Sequence, residues 1–264
     1  MWDPTQYQHF GDERSRPFFD LLARVGAQAP GMVVDLGCGP GTLTVALTRR
    51  WPGAVVRGID SSAEMIEAAQ ALPAGGDQRL SFVQGDVRDW KPDGGVDVIV
   101  SNAVLQWVPD HLAVLARWAG FLQAGGWLAF QIPGNYDQPS HAALLELASG
   151  DRWRPLLTGV RLNRQAADPA EYLDLLTRAG FEVDAWETTY LHVLHGEDPV
   201  LDWYKGTGLR PVLAALPPEQ AAEFLDDYRA RMSEAYPAAP YGTVFPFRRV
   251  FVVAVRVTAH GSDR

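Results

Sequence analysis

The stretch VVDLGCGPGT, residues 33–42, joins an apolar, β-branched run to three closely spaced glycines. Met32–Leu36 has the length and composition of a buried strand, and Thr42–Arg50 has the pattern of a helix. Glycine lacks a side chain, so the backbone amides at Gly37 and Gly39 can approach a ligand closely. The helix that follows presents its positive N-terminus to the same loop. The stretch therefore predicts a strand, a tight loop and a helix, with a ligand site at the loop.

Strands and helices continue to alternate after this stretch. Apolar runs bounded by turn residues predict further strands at Ala54–Ile59, Leu80–Val83, Val96–Val100 and Trp127–Ile132. Helices are predicted from a capping box at Ser61–Glu64 to about Ala71, and over Asp110–Leu122. Strands separated by helices pair in parallel, and strands that are apolar on both sides are covered by helices on both faces. We therefore predict an α/β fold built on a doubly wound, mostly parallel, Rossmann-like sheet.

The pattern changes after residue 133. Residues 134–167 show no clear period, whereas Asp168-Pro169 marks the start of a helix that stops at Gly180. Phe181–Leu194 and Val250–Val257 are predicted strands, and residues 198–236 between them are mostly helical. We expect this helical insertion to cover the carboxyl edge of the sheet as a cap.

The composition restricts the compartment and the partners. The chain has 264 residues and a formal net charge of −9, which would repel a long polyanion, so we expect no nucleic acid partner. No apolar run approaches the ~20 residues that span a bilayer, and the first residues do not read as a signal peptide. The single cysteine, Cys38, excludes an intramolecular disulfide. We therefore expect a cytoplasmic protein without a membrane partner, and the sequence predicts no particular oligomeric state.

A dinucleotide site is the main competing interpretation of the glycine loop. That site has the pattern G-x-G-x-x-G and holds pyrophosphate at the helix N-terminus. Here Thr42 occupies the position of the third glycine, and Asp35 gives the loop an acidic character. A cationic or zwitterionic ligand tolerates such a loop better than pyrophosphate does. A nicotinamide-dependent dehydrogenase is therefore the less favoured alternative.

Polar residues also follow the next three strands. Asp60 ends the second strand, where a carboxylate can accept both hydroxyl groups of a ribose. Asp86 follows the third strand, where it can accept an adenine amino group while Val87 packs on the ring. Asn102 and Ala103 end the fourth strand, in the crevice where open α/β sheets bind ligands.

In this order and spacing, Asp35–Gly41, Asp60, Asp86 and Asn102 resemble the successive motifs of class I S-adenosylmethionine-dependent methyltransferases. The resemblance implies a seven-stranded sheet with an antiparallel last strand, and S-adenosyl-L-methionine as the cofactor. It also implies an N-terminal lid, in which an aromatic side chain near a sulfonium would gain a cation–π contact. The candidate cofactor-binding residues are Tyr7, Phe10, Arg14, Asp35, Gly37, Cys38, Gly39, Asp60, Ser61, Met65, Asp86, Val87, Asn102 and Ala103.

A narrower resemblance extends over almost the whole chain. The segments that carry it are Trp2–Pro4, Arg14–Pro17, Ser101–His111, Gln131–Pro133, Pro139–His141, Trp186–Tyr190, Asp202–Pro211 and Phe247–Phe251. They are similar to segments of the trans-aconitate 2-methyltransferase family. The resemblance implies that one carboxylate of a small tricarboxylic acid, trans-aconitate, is methylated to a monomethyl ester. A carrier-bound malonyl group is the alternative acceptor, although the net charge disfavours an acidic carrier protein.

The acceptor chemistry indicates which side chains to expect near the substrate. A carboxylate with a reference pKa near ~4 is ionised at neutral pH, so it needs no general base, and transfer depends on positioning. Arginine binds carboxylates with two parallel hydrogen bonds. Asn102 and Trp107 are expected to line the transfer site, and no metal site is predicted. The candidate substrate-binding residues are Trp107, Arg154, Tyr204, Arg210, Tyr241, Arg248 and Arg249.

These expectations divide the chain into six segments. They are N-terminal lid helices (residues 1–30), a core that binds S-adenosyl-L-methionine (31–134), a connecting or cap segment (135–168), a core helix and strand (169–195), the helical substrate cap (196–245) and a final core strand (246–258).

Overall fold

The central strand of the sheet is the one that carries the glycine loop. The computed structural model describes residues 11–72, 79–162 and 166–257, without the side chains of residues 11, 12 and 14. Strand β1 (Met32–Leu36) pairs in parallel with β2 (Val55–Asp60) on one side and with β4 (Val96–Asn102) on the other. Strand β3 (Leu80–Gln84) extends the sheet beyond β2, and β5 (Leu122–Pro133) extends it beyond β4. All of these pairs are parallel, as predicted.

The last long strands are β6 (Phe181–Leu194) and β8 (Gly242–Arg256), and they complete the sheet in the order β3-β2-β1-β4-β5-β8-β6. Strand β8 lies between β5 and β6 and is antiparallel to both. A two-residue strand, β7 (Ala238–Ala239), pairs only with the start of β8. The prediction of a doubly wound sheet with an antiparallel last strand is confirmed.

Helices cover both faces of this sheet and form the cap. In the part of the chain that the structure describes, they are α1 (Gly11–Leu22), α2 (Thr42–Arg50), α3 (Ala63–Gln70), α4 (His111–Phe121), α5 (Pro139–Ser149), α6 (Pro169–Arg178), α7 (Pro199–Lys205), α8 (Arg210–Ala215) and α9 (Pro218–Ala235), with a short 3-10 turn at Leu105–Trp107. None of the described helices is long and apolar enough to cross a membrane.

Several boundaries differ from the prediction. Helix α3 is capped by Ser62, whose hydroxyl accepts from the Met65 amide at 3.3 Å, and not by Ser61. Strand β8 starts at Gly242 rather than at Val250, because residues 243–249 continue the antiparallel ladder with β6 in spite of a proline and two arginines. Strand β5 starts at Leu122 rather than at Trp127. Its pairing with β4 is irregular at this end, and the two glycines at residues 125–126 interrupt the apolar pattern by which the strand could have been recognised.

Helix α5 lies in a segment for which the sequence predicted no regular structure. Six of its residues are buried, and at 3.6 residues per turn they lie within an arc of roughly 160° on one side of the helix. The buried side includes the polar residues Ser140 and His141, whereas Ala142 is exposed and Leu145 is only half-buried, so the apolar residues of the sequence show no helical period. It packs against α9, where the Tyr228 hydroxyl donates to the Ser140 carbonyl at 2.9 Å. From α7, the Tyr204 hydroxyl donates to the Ser140 hydroxyl at 2.8 Å.

The cap has a hydrophobic core of its own. This cluster combines residues of the 143–162 region with residues of the 194–247 region, including Trp153, Trp203 and Phe245. The sheet has two further large clusters, one on each face. Strand β8 contributes to all three clusters, since Phe245 lies in the cap cluster while Val250 and Phe251 lie on opposite faces of the sheet. The long antiparallel strands therefore connect the cap to the sheet.

Candidate active site

The carboxyl ends of the parallel strands open into a cleft of about 1040 Å³. This edge is where open α/β sheets bind their ligands. The glycine loop and the ends of β2, β3 and β4 form its floor, and the cap forms its roof. The candidate cofactor residues that the structure brings together in this cleft are Asp35, Gly37, Cys38, Gly39, Asp60, Ser61, Met65, Asp86, Val87, Asn102 and Ala103.

Glycine is favoured at two positions of the loop, Gly37 and Gly39, on different structural grounds. Gly37 has a φ of 82°, and a Cβ atom there would lie 2.1 Å from Cγ2 of Val104, so any side chain would collide with the turn after β4. Gly39 has a φ of 55°, and a Cβ atom there would meet no atom within 4 Å. The space beside Gly39 is therefore open, and a bound molecule can lie against the backbone there.

Asp60 is held in place from both sides. One carboxylate oxygen accepts from the Gly39 amide at 2.9 Å, and the other accepts from the Ser62 amide at 2.9 Å. These bonds connect the glycine loop to the start of α3. A carboxylate has about four acceptor positions. Asp60 can therefore accept further hydrogen bonds from a ligand while it holds the loop.

Asp35 is a buried carboxyl group beneath the loop. It is 2% exposed, and it accepts a hydrogen bond from the Thr44 hydroxyl at 2.7 Å. Burial raises the pKa of Asp35 from 3.8 to about 7, the Thr44 hydrogen bond opposes that rise, and the charge of Asp60 adds to it. A cationic ligand group beside Asp35 would stabilise its ionised form.

Cys38 lies between these two carboxyl groups. Burial raises the pKa of its thiol, and the negative charges of Asp35 and Asp60 raise it further. A thiol that does not ionise is a poor nucleophile. Cys38 therefore acts as a small packing residue in the loop.

Asp86 and Val87 follow the end of β3 and line the cleft. The Arg88 side chain donates through Nε to both oxygens of Asp86, at 3.0 and 2.9 Å, and the Arg88 amide donates to one of them at 2.8 Å. The hydrogen bonds from Arg88 hold the pKa of Asp86 below its usual value. Asp86 is therefore an ionised acceptor in a fixed orientation.

A smaller pocket of about 110 Å³ lies beside the cleft and shares Asn102, Ala103 and Trp107 with it. Arg249 and Tyr204 line this pocket. A third cavity, of about 860 Å³, shares Trp107 with both. The indole of Trp107, which is 39% exposed, therefore stands where all three spaces meet.

Arg249 is a buried cation in the wall of the smaller pocket. It is 4% exposed, and its guanidinium lies over the ring of Phe247 at 4.7 Å from the centroid. Its Nη1 donates to the side-chain oxygen of Gln131 at 3.1 Å. A positive charge without full solvation attracts an anionic ligand strongly.

The roof of the cleft is basic. Arg161, Lys205 and Arg210 line it from the cap, and Lys205 also pairs with Asp202 at 3.0 Å. The floor contains the carboxyl groups of Asp35, Asp60 and Asp86 and one cation, Arg88, which is paired with Asp86, so the floor is acidic where the roof is basic. Arg161 is not predictable as a site residue, because it lies in a segment without a pattern that would separate it from surface arginines.

Three predicted substrate residues lie outside these cavities. Arg154 is exposed and pairs with Asp151, and Tyr241 is 63% exposed at the turn between β7 and β8. Arg248 donates to the Gly134 carbonyl at 2.8 Å and pairs with Glu187. Neighbouring residues of a strand point to opposite faces, so Arg248 points away from the pocket that Arg249 lines. The geometry gives these three predictions no support.

The predicted lid residues lie at or before the start of the described part of the chain. Tyr7 and Phe10 lie outside the described residues, and so does the side chain of Arg14. Within the described part of the chain, Ser15 and Phe18 of α1 line the cleft. No group of three or more potential metal ligands occurs among the described residues.

Comparisons with known proteins identify the family of this chain. A family model described as a methyltransferase domain matches residues 33–126. The chain is 54% identical over 257 residues to a trans-aconitate 2-methyltransferase of Mycobacterium sp. (strain KMS), covering 96% of this chain and 99% of the relative. It is 53% identical over 258 residues to the trans-aconitate 2-methyltransferase of Streptomyces avermitilis, covering 96% of each chain.

Solved structures with the same fold include two methyltransferases. Phosphoethanolamine N-methyltransferase 2 of Haemonchus contortus, in complex with S-adenosyl-L-methionine, matches with a TM-score of 0.59 at 13% identity, covering 96% of this chain and 56% of that one. Geranyl diphosphate C-methyltransferase of Streptomyces coelicolor matches with a TM-score of 0.52 at 21% identity, covering 92% of this chain and 79% of that one. At these identities the likeness shows the fold alone.

These findings confirm the interpretation of the glycine loop as part of a methyltransferase and exclude the dehydrogenase alternative. The cofactor is S-adenosyl-L-methionine. With more than half of its residues identical to curated relatives over nearly its whole length, the chain belongs to the trans-aconitate 2-methyltransferase family of S-adenosylmethionine-dependent enzymes.

Proposed function

We propose that this chain transfers the methyl group of S-adenosyl-L-methionine to one carboxylate of trans-aconitate, which gives a monomethyl ester and S-adenosylhomocysteine. The observation that carries the proposal is the charge of the cleft, which has an acidic floor and a basic roof. An acidic floor suits a cationic cofactor, and a basic roof suits a polyanionic acceptor. The names of the curated relatives support trans-aconitate as that acceptor.

The residues of the floor fit the cofactor. When bound, it supplies an electrophilic methyl group on a sulfonium sulfur and carries an ammonium group. We assign Asp35 to the ammonium group, because its buried carboxyl ionises most easily beside a cation. Asp60 would accept the ribose hydroxyls with its remaining acceptor positions, and Asp86 would accept the adenine amino group while Val87 packs on the ring. Gly39 leaves the open space that the cofactor would fill.

The basic residues would bind the acceptor at several points. Arg249 would pair with one carboxylate in the smaller pocket, whose volume of about 110 Å³ admits one arm of the acid rather than the whole molecule. Arg210 and Arg161 would bind a second carboxylate from the roof. The planar, conjugated acceptor would pack against the Trp107 indole, and Tyr204 would close the far wall of the pocket. The third carboxylate is then left to face the methyl group.

This arrangement performs the reaction by positioning. The attacking carboxylate is already ionised at neutral pH, so no side chain has to remove a proton. The cap holds the attacking oxygen in line with the methyl group and excludes water from the cleft. Tight pairing of the attacking carboxylate with an arginine would lower its nucleophilicity. We therefore expect the arginines to bind the two carboxylates that do not react.

A methyl-transfer screen tests the proposal. Purified protein and S-adenosyl-L-methionine are incubated with trans-aconitate, cis-aconitate, citrate, isocitrate or a malonyl-carrier protein, and S-adenosylhomocysteine and the ester are measured by mass spectrometry. We expect the highest kcat/KM with trans-aconitate. Turnover of another acid without turnover of trans-aconitate would contradict the proposed acceptor and leave the enzyme class intact.

Two arginine variants provide a matched comparison. Arg210→Ala removes a cation that lines the cleft and should raise the KM for trans-aconitate about tenfold or more, as expected for a lost charged hydrogen bond. Arg154→Ala removes an exposed arginine that pairs with Asp151 and should leave KM within twofold. Equal effects of the two substitutions would rule out a specific role for Arg210.

A further inference from the structure

A line of hydrogen bonds crosses the sheet edge from the smaller pocket to the cleft. Arg249 Nη1 donates to Gln131 Oε1 at 3.1 Å, and Gln131 Nε2 donates to Asn102 Oδ1 at 2.6 Å. The sheet places all three side chains on one face, because Asn102 stands opposite Gln131 in the β4–β5 ladder and Arg249 lies diagonally across the β5–β8 ladder. Neither the sequence motifs nor the proposed binding residues assign a role to Gln131.

The arginine fixes the donor-to-acceptor direction of every hydrogen bond in this line. A guanidinium group only donates hydrogen bonds, so Gln131 must turn its oxygen toward Arg249. The amide nitrogen of Gln131 then faces Asn102, and Asn102 must turn its own oxygen toward Gln131. The group that Asn102 can offer to a ligand is therefore its N–H donor.

Because the line is buried, the two amides cannot easily turn the other way. Gln131 is 1% exposed and Arg249 is 4% exposed, so bulk water cannot compensate for a reversed amide. Reversing Gln131 would place its N–H group against the guanidinium and its oxygen against the oxygen of Asn102. A buried donor and a buried acceptor would both lose their partners, which costs far more than an exposed rearrangement.

Gln131 also holds the backbone at the same point. The backbone carbonyl oxygen of Gln131 accepts a hydrogen bond from the Ala103 amide at 3.0 Å. Ala103 has a φ of 57°, which is unusual for a residue other than glycine. The backbone of Gln131 therefore supports the strained turn that carries Asn102, while its side chain orients the Asn102 amide.

We propose that Gln131 is a positioning residue that passes the fixed polarity of Arg249 to Asn102, so that Asn102 presents an N–H donor to the acceptor carboxylate beside the methyl group. A carboxylate only accepts hydrogen bonds, so an Asn102 oxygen at that place would repel it. Arg249, which would bind one carboxylate of the acceptor, thus also determines which group of Asn102 faces a second carboxylate. This inference rests on the proposed function.

A double-mutant cycle tests the coupling. Gln131→Leu and Asn102→Ala should each lower kcat/KM for trans-aconitate about 10- to 100-fold, as expected for loss of an oriented donor. In the Gln131→Leu background, Asn102→Ala should lower it less than a further threefold, because the donor is already lost. Independent effects that multiply to the product of the two single losses would overturn the proposal.

A second variant reverses the polarity instead of removing it. In Gln131→Glu the new carboxylate would pair with Arg249 and demand a donor from Asn102, which would turn the Asn102 oxygen toward the acceptor. We expect a rise in KM for trans-aconitate that exceeds the rise in Gln131→Leu, although Glu is nearer to Gln in shape. Wild-type kinetics in Gln131→Glu would overturn the proposal.

Two further measurements separate positioning from structural damage. The Kd for S-adenosylhomocysteine should stay within threefold in all Gln131 variants, and a loss of that affinity as large as the loss of kcat/KM would overturn the acceptor role. Ser101→Ala is the matched control, because Ser101 is equally buried in β4 and its hydroxyl donates to the Leu36 carbonyl at 2.8 Å. It should lower stability without the change in KM.

The failure of this inference is distinguishable from failure of the proposed function. If the wild-type enzyme does not methylate trans-aconitate, the proposed acceptor is wrong. The same cycle is then measured by calorimetric titration of trans-aconitate into the complex with S-adenosylhomocysteine. Non-additive losses of affinity support the line of hydrogen bonds, and additive losses or no binding refute it.

Discussion

Substituting Asp35 by asparagine should stabilise the protein in the absence of cofactor. Asp35 is 2% exposed, and its pKa of about 7 lies roughly three units above the value of 3.8 for an unperturbed aspartate. The native state therefore binds this proton more tightly than the unfolded state does. As pH rises from about 4 to 7, the native state loses stability relative to the unfolded state, because its buried carboxyl must ionise.

The size of the effect follows from the shift. One pKa unit corresponds to about 1.4 kcal/mol, so a shift of about three units corresponds to about 4 kcal/mol above pH 7. Asparagine does not ionise, and its oxygen can still accept from the Thr44 hydroxyl. Asp35→Asn should therefore be more stable than wild type by about 4 kcal/mol at pH 8 and nearly equal to it at pH 4. For a chain of this length, that difference raises Tm by about 8–16 °C.

Urea and thermal unfolding of the cofactor-free protein between pH 4 and 8 measure the difference. Asp93→Asn is the control, because Asp93 is exposed and pairs with Arg57 at the surface, and it should change the free energy of unfolding by less than about 1 kcal/mol. If Asp35→Asn is no more stable than wild type at pH 8, or if its advantage is the same at pH 4, the burial argument is refuted.

Cofactor binding should respond in the opposite sense. The ammonium group of S-adenosyl-L-methionine would pair with the ionised form of Asp35, so binding would release the proton. The affinity of the wild-type enzyme should therefore rise as pH increases from 6 to 8, and Asp35→Asn should bind more weakly without that dependence. Calorimetric titration in buffers with different ionisation enthalpies detects the released proton. Equal affinities of the two proteins at pH 8 would remove Asp35 from the ammonium site.

Three further outcomes are expected. Gly37→Ala should abolish cofactor binding or unfold the loop, since its Cβ would lie 2.1 Å from Val104, and calorimetric titration with far-ultraviolet circular dichroism separates the two results. Tyr190→Phe, which loses the 2.7 Å hydrogen bond to Asp20, should lower the free energy of urea unfolding by about 1 kcal/mol with unchanged KM. Cys38 should react with iodoacetamide at pH 8 far more slowly in the native protein than in urea, because its thiol is buried and its pKa is raised; equal rates would contradict that shift.

The fold could be predicted wherever an element carries its own local signal. The β1 strand and its glycine loop were predictable because a short β-branched run ends at residues that need positive φ angles. Helix α5 was not predictable, because its buried side carries the polar residues Ser140 and His141 while Ala142 is exposed, so its sequence shows no apolar period. Its position depends on contacts with α9, which lies far away in the sequence.

The acceptor side of the site shows the same distinction. From the sequence, Arg248 and Arg249 are both candidate substrate residues, and Arg249 is favoured only because it stands directly before the strand predicted from Val250 onward. The structure extends β8 back to Gly242, and alternation along that strand turns Arg249 into the pocket and Arg248 toward Glu187. Only the pairing with β6 fixes that register. The cofactor side needed no such information, because its residues follow the ends of consecutive strands.

The cap is assembled from two separated stretches of chain, one around α5 and one between β6 and β8. Tyr228 and Tyr236 of the second stretch both make hydrogen bonds to Ser140 of the first. In a chimera that takes only the second stretch from a relative, the imported residues would have to pack against the Ser140 region and the pocket wall of this chain, which are not their own partners. The two stretches together should therefore determine which acceptor an enzyme of this family prefers. Changing that preference by exchange with a relative requires replacing both stretches, while the cofactor-binding half of the chain is left unchanged.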